Sequence, residues 1–204
     1  MYSIVFFPLA VFSWLLFRVL CRCRVTGLEN VPAGGAIIAP NHQSFLDIPL
    51  VGFLLHNRRT HFMAKSELFV NPVFSWIIRT LLAFPVKRGA PDRTAIRYSI
   101  EILQKGELLA IFPEGTRSKD GRLGEAEPGL ALIAAKAGVP IIPVGISGSS
   151  LIFSKTSWFP RLKITFGKPI HVVQSENREK GAFENVGFQV MKSIRDLVNT
   201  QRNE

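Results

Sequence analysis

Short apolar runs alternate with turn-rich polar stretches along the 204 residues. "AIIAP" (36–40), "THFMAK" (60–65), "AFPVKR" (83–88), "ELLAIF" (107–112), "VPIIPVGIS" (139–147) and "LKITFGKPI" (162–170) are brief, mostly apolar and bounded by Pro, Gly or charge, which predicts buried strands. Between them, residues 44–56, 72–82 and 129–138 read as helices. Ile96, Ile100 and Leu103 recur at helical spacing from Asp92 to Lys105, where Gly106 is a natural stop. Near the C-terminus, Val186, Val190, Ile194, Leu197 and Val198 mark the apolar face of a terminal amphipathic helix. "VTGLENVPAGG" (25–35) reads as a turn-rich lead-in. Strands alternating with helices predict an α/β fold, a single domain with a mostly parallel central sheet flanked by helices, and functional residues in loops at strand ends.

The chain opens on "MYSIVFFPLAVFSWLLFRVLCRCR", a short N-terminal hydrophobic helix with seventeen residues before its first charge, Arg18. A helix of that length reaches about 25 Å, against about 30 Å of bilayer hydrocarbon. Pro8 is expected to bend it, and Arg18, Arg22 and Arg24 follow at once. No basic residue precedes the apolar run and no cleavage site follows it, so it does not read as a signal peptide. The preferred reading is a monotopic element that dips into one leaflet with its arginines at the headgroups. A full span and a helix that joins the domain core are the other two. The expected division is therefore 1–24, a membrane-associating helix with a basic flank, and 25–204, the domain that carries the chemistry.

Charge narrows the partners. A net charge of +10 and a pI of about 10.1 point to an anionic partner: nucleic acid, lipid headgroups or a phosphorylated substrate. Sixteen Phe against two Tyr favour lipid over base stacking, and no zinc finger or RNP-like strand is present. Cys21 and Cys23 form neither a disulfide framework nor a zinc motif, and read as reduced thiols.

"APNHQSFLDIP" (39–49) sets polar residues between apolar runs. His42 and Asp47 are five apart, too far round a regular helix to touch, so they meet only if the helix starts between them. Ser44-Phe45-Leu46-Asp47 permits this as a capping box, with Ser44 at N-cap and Asp47 at N3. The spacing alone leaves three readings open. Asp47 is a helix cap and His42 satisfies a buried donor; or the two form a general-base dyad; or Ser44 is a nucleophile. "FPEGTRS" (112–118) directly follows a predicted strand: Gly115 permits a tight turn, Thr116 offers a hydroxyl and Arg117 a fork suited to phosphate. Alone it is equally a surface turn. Lys65 and Lys87-Arg88 add cations at predicted strand ends.

Taken together, "NHQSFLD" (41–47), "KSEL" (65–68) followed by "FPVKR" (84–88), "FPEGTRS" (112–118) and "VPIIPVGISG" (139–148) resemble the glycerolipid acyltransferases, and among them the 1-acyl-sn-glycerol-3-phosphate acyltransferases. These blocks extend over residues 41 to 148, and "FGKPI" (166–170) also fits. The N-terminal apolar part is brief beside the longer helical anchors of some members. The resemblance implies a glycerolipid acyltransferase-like fold over 25–204 and an enzyme that acylates the sn-2 hydroxyl of lysophosphatidic acid from an acyl thioester. His42 would be the general base and Asp47 its orienting carboxylate. Glu114, Gly115, Thr116 and Arg117, with Lys65 and Arg88, would hold the acceptor phosphate. No metal or cofactor is expected; acyl-CoA or acyl-ACP is the co-substrate. The other partners are a lysophospholipid and a membrane surface, at the cytoplasmic face of the cell membrane.

Rival readings keep the fold with another acceptor (glycerol 3-phosphate, another lysophospholipid or an ornithine-type lipid), or make the chain a non-catalytic peripheral lipid binder. A serine hydrolase would want G-x-S-x-G, which "GISGS" (145–149) fails to match.

Overall fold

Residues 36–40 are buried on both faces, as expected of a strand at the centre of a parallel sheet. The computed structural model describes residues 8, 11–87, 89, 92–118, 122–172 and 180–203. Among these the sheet has seven strands: β1 (Arg24–Thr26), β2 (Ala36–Pro40), β3 (Thr60–Lys65), β4 (Ala83–Val86), β5 (Leu108–Ala110), β6 (Ile141–Ser147) and β7 (Lys163–Phe166). Their spatial order is β1-β7-β6-β2-β5-β3-β4. β6 and β7 pair antiparallel and every other pairing is parallel.

Helices α1 (Asp47–Leu54), α2 (Pro72–Thr80), α3 (Arg93–Gln104), α4 (Gly129–Ala137) and α5 (Lys180–Asn203) complete the α/β architecture. The alternation along β2 divides the core. Ala36 and Ile38 face one layer with Leu50 and Val51 of α1, while Ile37 and Ala39 face the other with Leu103 of α3, Leu130 of α4 and Val190 of α5. The chain therefore leaves β2 towards one face and leaves β5, its neighbour, towards the opposite face. Adjacent strands whose connections diverge open a crevice at their C-terminal ends, where open α/β sheets bind ligands.

Several elements depart from the sequence reading. The helix expected from residue 44 begins at Asp47. β1 falls within the basic flank and the expected turn region; its three residues pair with β7. β4 stops at Val86, short of the predicted basic end. Near the N-terminus, Trp14–Leu20 forms a π-helix whose Leu16 and Phe17 are buried in the core beside α1, whereas Val11, Phe12, Trp14, Leu15, Val19 and Leu20 are exposed. One side of this segment thus joins the domain and the other is bare apolar surface. Among the described residues, no helix is long and apolar enough to cross a membrane.

Candidate active site

The segment that follows β2 turns back before α1 can start. Asn41 anchors it. Its side chain accepts from the Ile146 N–H at 2.7 Å and donates to the Ile146 carbonyl at 3.0 Å, extending the β2–β6 pairing by one side chain. The next residue, His42, is buried (8% exposed). Asp47, fully buried at the first turn of α1, reaches back under this turn. Its Oδ2 lies 2.9 Å from His42 Nδ1 and accepts the backbone N–H groups of Gln43 and Ser44, each at 2.7 Å.

The capping-box geometry forms by half. Asp47 accepts from Ser44 N–H as expected, but the Ser44 hydroxyl accepts from Leu46 N–H at 3.2 Å rather than from Asp47. The cap and the His42–Asp47 contact are therefore one arrangement: the carboxylate that closes the turn also holds the imidazole. The Ser44 hydroxyl thus takes part in the turn as an acceptor. In the tautomer that donates Nδ1–H to this carboxylate, Nε2 presents a lone pair.

The second loop is built against the first. β5 lies beside β2, so its C-terminal loop, 111–118, emerges next to His42. The Phe112 ring stacks on the imidazole at 4.0 Å between centroids and 22° between planes. Glu114 Oε1 accepts the His42 N–H at 3.0 Å, and Ser118 N–H donates to the His42 carbonyl at 2.9 Å. Glu114 Oε2 accepts from Gly124 N–H at 3.1 Å. Both oxygens of this carboxylate are thus engaged with backbone, which makes Glu114 the joint between the two loops. Gly115 has a φ of +65°, which favours glycine, and a Cβ there would sit a tight 3.2 Å from Glu127 Cγ.

Thr116 and Arg117 follow at the exposed end of the loop. The Arg117 guanidinium carbon lies 3.5 Å from the centroid of the Phe45 ring, a cation–π contact that ties it to the turn holding the dyad. Lys65 ends β3, one strand beyond β5, and pairs with Glu67 at 2.9 Å. That places it roughly 10 Å across the sheet from the end of β2. Lys87 follows β4, and Arg88 lies outside the described residues. A cavity of about 610 Å³ opens beside Lys87, walled by Phe69, Phe84 and Tyr98, with neither dyad residue in its lining.

Sequence reasoning brought His42, Asp47, Glu114, Gly115 and Arg117 to one place. It missed Asn41 as an anchor, Phe112 as the ring under the imidazole and Phe45 as the partner of Arg117. All three lie within the quoted motifs, but an aromatic residue at a strand end or on a first turn reads as core until the loops are placed.

A family model described as acyltransferase matches residues 22–147, which hold both loops and the strands that carry them. The chain belongs to this acyltransferase family. It is 35% identical over 158 residues to the chloroplast 1-acyl-sn-glycerol-3-phosphate acyltransferase LPAT1 of Arabidopsis thaliana, covering 74% of this chain and 44% of that one. It is 34% identical over 153 residues to the 1-acyl-sn-glycerol-3-phosphate acyltransferase of Bacillus subtilis, covering 72% and 73%. The crystal structure of the 1-acyl-sn-glycerophosphate acyltransferase PlsC from Thermotoga maritima superposes with a TM-score of 0.69 at 31% identity, covering 95% of this chain and 81% of that one. The chain spans less than half the length of its chloroplast relative. The residues that the family model matches, 22–147, include β2, β5 and the crevice between them.

Proposed function

We propose that this acyltransferase moves an acyl group from an acyl thioester to the sn-2 hydroxyl of 1-acyl-sn-glycerol 3-phosphate, giving phosphatidic acid. The observation that carries the reading is the clamping of His42 between Asp47 and the 112–118 loop. His42 and the loop that carries Arg117 are thereby bonded to each other. Relatives carrying the same activity in their names support it.

In the proposed reaction, the acceptor phosphate lies against Arg117 and the backbone of the Gly115 turn, with Lys65 and Arg88 as further cations. Glu114 contributes by position, since a carboxylate facing the phosphate would repel it. His42 Nε2 takes the proton of the sn-2 hydroxyl as that oxygen attacks the thioester carbonyl. Asp47 stabilises the resulting imidazolium. The tetrahedral intermediate collapses, the carbon–sulfur bond breaks, and the departing thiolate takes the proton back from His42. Thiol pKa values near 8.5 make the thiolate a competent leaving group. The apolar surface around "FLDIPLVGFLL" (45–55) suits the acyl chains of both substrates.

The amphiphilic acceptor implies work at a membrane surface, with residues 1–24 as the associating element, packed through Leu16 and Phe17 on 25–204, the catalytic domain. The donor in this reading is acyl-CoA or acyl-ACP, and the cytoplasmic face of the cell membrane is the proposed location. The reading is tested by supplying an acyl thioester with lysophosphatidic acid, glycerol 3-phosphate or a lyso-ornithine lipid in mixed micelles. Phosphatidic acid as the dominant product supports it. Turnover of another acceptor alone would keep the family chemistry and replace the substrate.

A further inference from the structure

The loop between β6 and β7 displays aromatic residues in a way that a water-soluble surface does not call for. Leu151, Phe153 and Trp158 are 44%, 53% and 69% exposed. Their exposure is held in place. Phe153 N–H donates to the Trp158 carbonyl at 3.2 Å and Ser154 N–H to the Ser157 carbonyl at 3.0 Å. The Ser154 hydroxyl lies 2.9 Å from that of Thr156 and accepts from Ser157 N–H at 3.1 Å. The Phe153 and Trp158 rings meet edge to face at 6.2 Å. Phe153 also has a φ of +58°, a conformation costly for a residue with a bulky side chain. A closed, strained loop that keeps Phe and Trp in solvent is a surface with a partner.

Three further observations say which partner. First, the loop shares its base with the N-terminal apolar segment. Leu162 N–H donates to the Cys21 carbonyl, Arg24 N–H donates to the Leu162 carbonyl, and Ile152 and Leu162 join Leu16, Phe17 and Cys21 in one core cluster. Second, both segments lack negative charge. No Asp or Glu occurs before Glu29 or between Glu127 and Glu176, while Arg18, Arg22, Lys155 and Arg161 are exposed. Third, the loop springs from the C-terminal end of β6, the same sheet edge as the His42 turn, and Asn41 is bonded to Ile146 on that strand. Aromatic side chains flanked by cations, with no acids, match the interfacial layer of an anionic bilayer.

We propose that the loop Leu151–Phe159 is a membrane-insertion element: Phe153 and Trp158 enter the interface of an anionic bilayer and set the His42 crevice against the surface that supplies the lipid. This rests on the reading of the acceptor as a membrane lipid and adds a second contact, distinct from residues 1–24, that fixes the orientation of the site.

The test uses the full chain with Trp14→Phe and Trp76→Phe, which leaves Trp158 as the one tryptophan of the three. It is mixed with vesicles of phosphatidylcholine alone, or of phosphatidylcholine with phosphatidylglycerol, with and without brominated acyl chains. Expected results are a blue shift of Trp158 emission and quenching by the brominated chains, both stronger with phosphatidylglycerol. In cosedimentation, Phe153→Ser/Trp158→Ser is expected to lower vesicle partitioning by about tenfold or more while acyl transfer in detergent micelles is retained. Unshifted, unquenched Trp158 emission in chains that sediment with vesicles would overturn the proposal and leave the exposed rings to a protein partner. Unchanged partitioning of the double variant would also overturn it. Absence of acyl transfer in micelles by the unsubstituted chain would strike the proposed reaction, and the Trp158 emission would still decide the docking.

Discussion

Asp47 Oδ2 lies 2.9 Å from His42 Nδ1, and the same oxygen accepts the N–H groups of Gln43 and Ser44. One atom therefore shapes the turn and orients the imidazole. Its other oxygen, Oδ1, is buried with no hydrogen-bond partner among the described residues, so the carboxylate is held from the 42–44 side alone. Asp47→Ala should damage activity and stability together. Acyl transfer is expected to fall at least about 10²-fold. Unfolding in denaturant should show a loss of about 2–3 kcal/mol, the scale of hydrogen bonds to a charged acceptor. Asp47→Asn should recover part of the stability and little of the activity, because its amide no longer stabilises an imidazolium.

Phe45 should act on substrate binding through Arg117. An exposed cation–π contact contributes about 0.5–1 kcal/mol, so Phe45→Leu is expected to raise KM for lysophosphatidic acid about two- to fivefold. kcat should stay nearly unchanged, and Phe45→Tyr should restore KM. Steady-state kinetics with the acceptor varied at saturating donor measure both.

Glu114 offers a contrast. If its carboxylate joins the two loops, Glu114→Gln loses one of two backbone acceptors and loosens the seat of His42. The expected signature is a fall in kcat of about tenfold, a modest misplacement of the base, with KM for the acceptor held within about twofold. A rise in KM at constant kcat would instead assign Glu114 to phosphate contact.

His61 links stability to pH at the far end of the sheet from the crevice. It is 4% exposed, 2.6 Å from Glu107, with Arg59 on the same carboxylate and Tyr98 edge-on to the ring. Burial holds its imidazole below the ordinary value of 6.5, against the upward pull of Glu107 and with help from Arg59 and Lys105. The unfolded chain therefore binds the proton first as pH falls. This contribution to stability is complete above pH 6.5 and is lost as pH drops towards and through the folded value. Thermal melts between about pH 8 and about pH 5 should show this loss, and His61→Gln should flatten the slope.

The sheet was largely legible in the sequence because buried parallel strands read as apolar runs: β2, β5 and β6 fall within the expected segments. β1 was not, since Arg-Val-Thr carries no apolar period and its strand character comes from β7. The start of α1 was misplaced for a related reason. Ser44 carries a capping signal, but Asp47 takes the Gln43 and Ser44 N–H groups for the turn and delays the helix by three residues. His42 and Asp47 were legible as a pair by spacing, although spacing offered cap and contact as alternatives where one carboxylate makes both. Contacts that depend on two loops meeting, such as Phe112 on His42 and Arg117 on Phe45, have no one-dimensional trace. They follow from β2 and β5 being neighbours, which the sequence does not state.

The central claim is that His42 is the base that activates the acceptor hydroxyl. The most direct measurement is acyl transfer from an acyl thioester to lysophosphatidic acid by the wild-type chain and by His42→Ala, with folding of both checked by circular dichroism. Phosphatidic acid from the wild type and a loss of at least about 10²-fold in a folded His42→Ala variant is the predicted result. A folded His42→Ala variant with wild-type turnover would contradict the account and leave Asp47 as a turn cap alone.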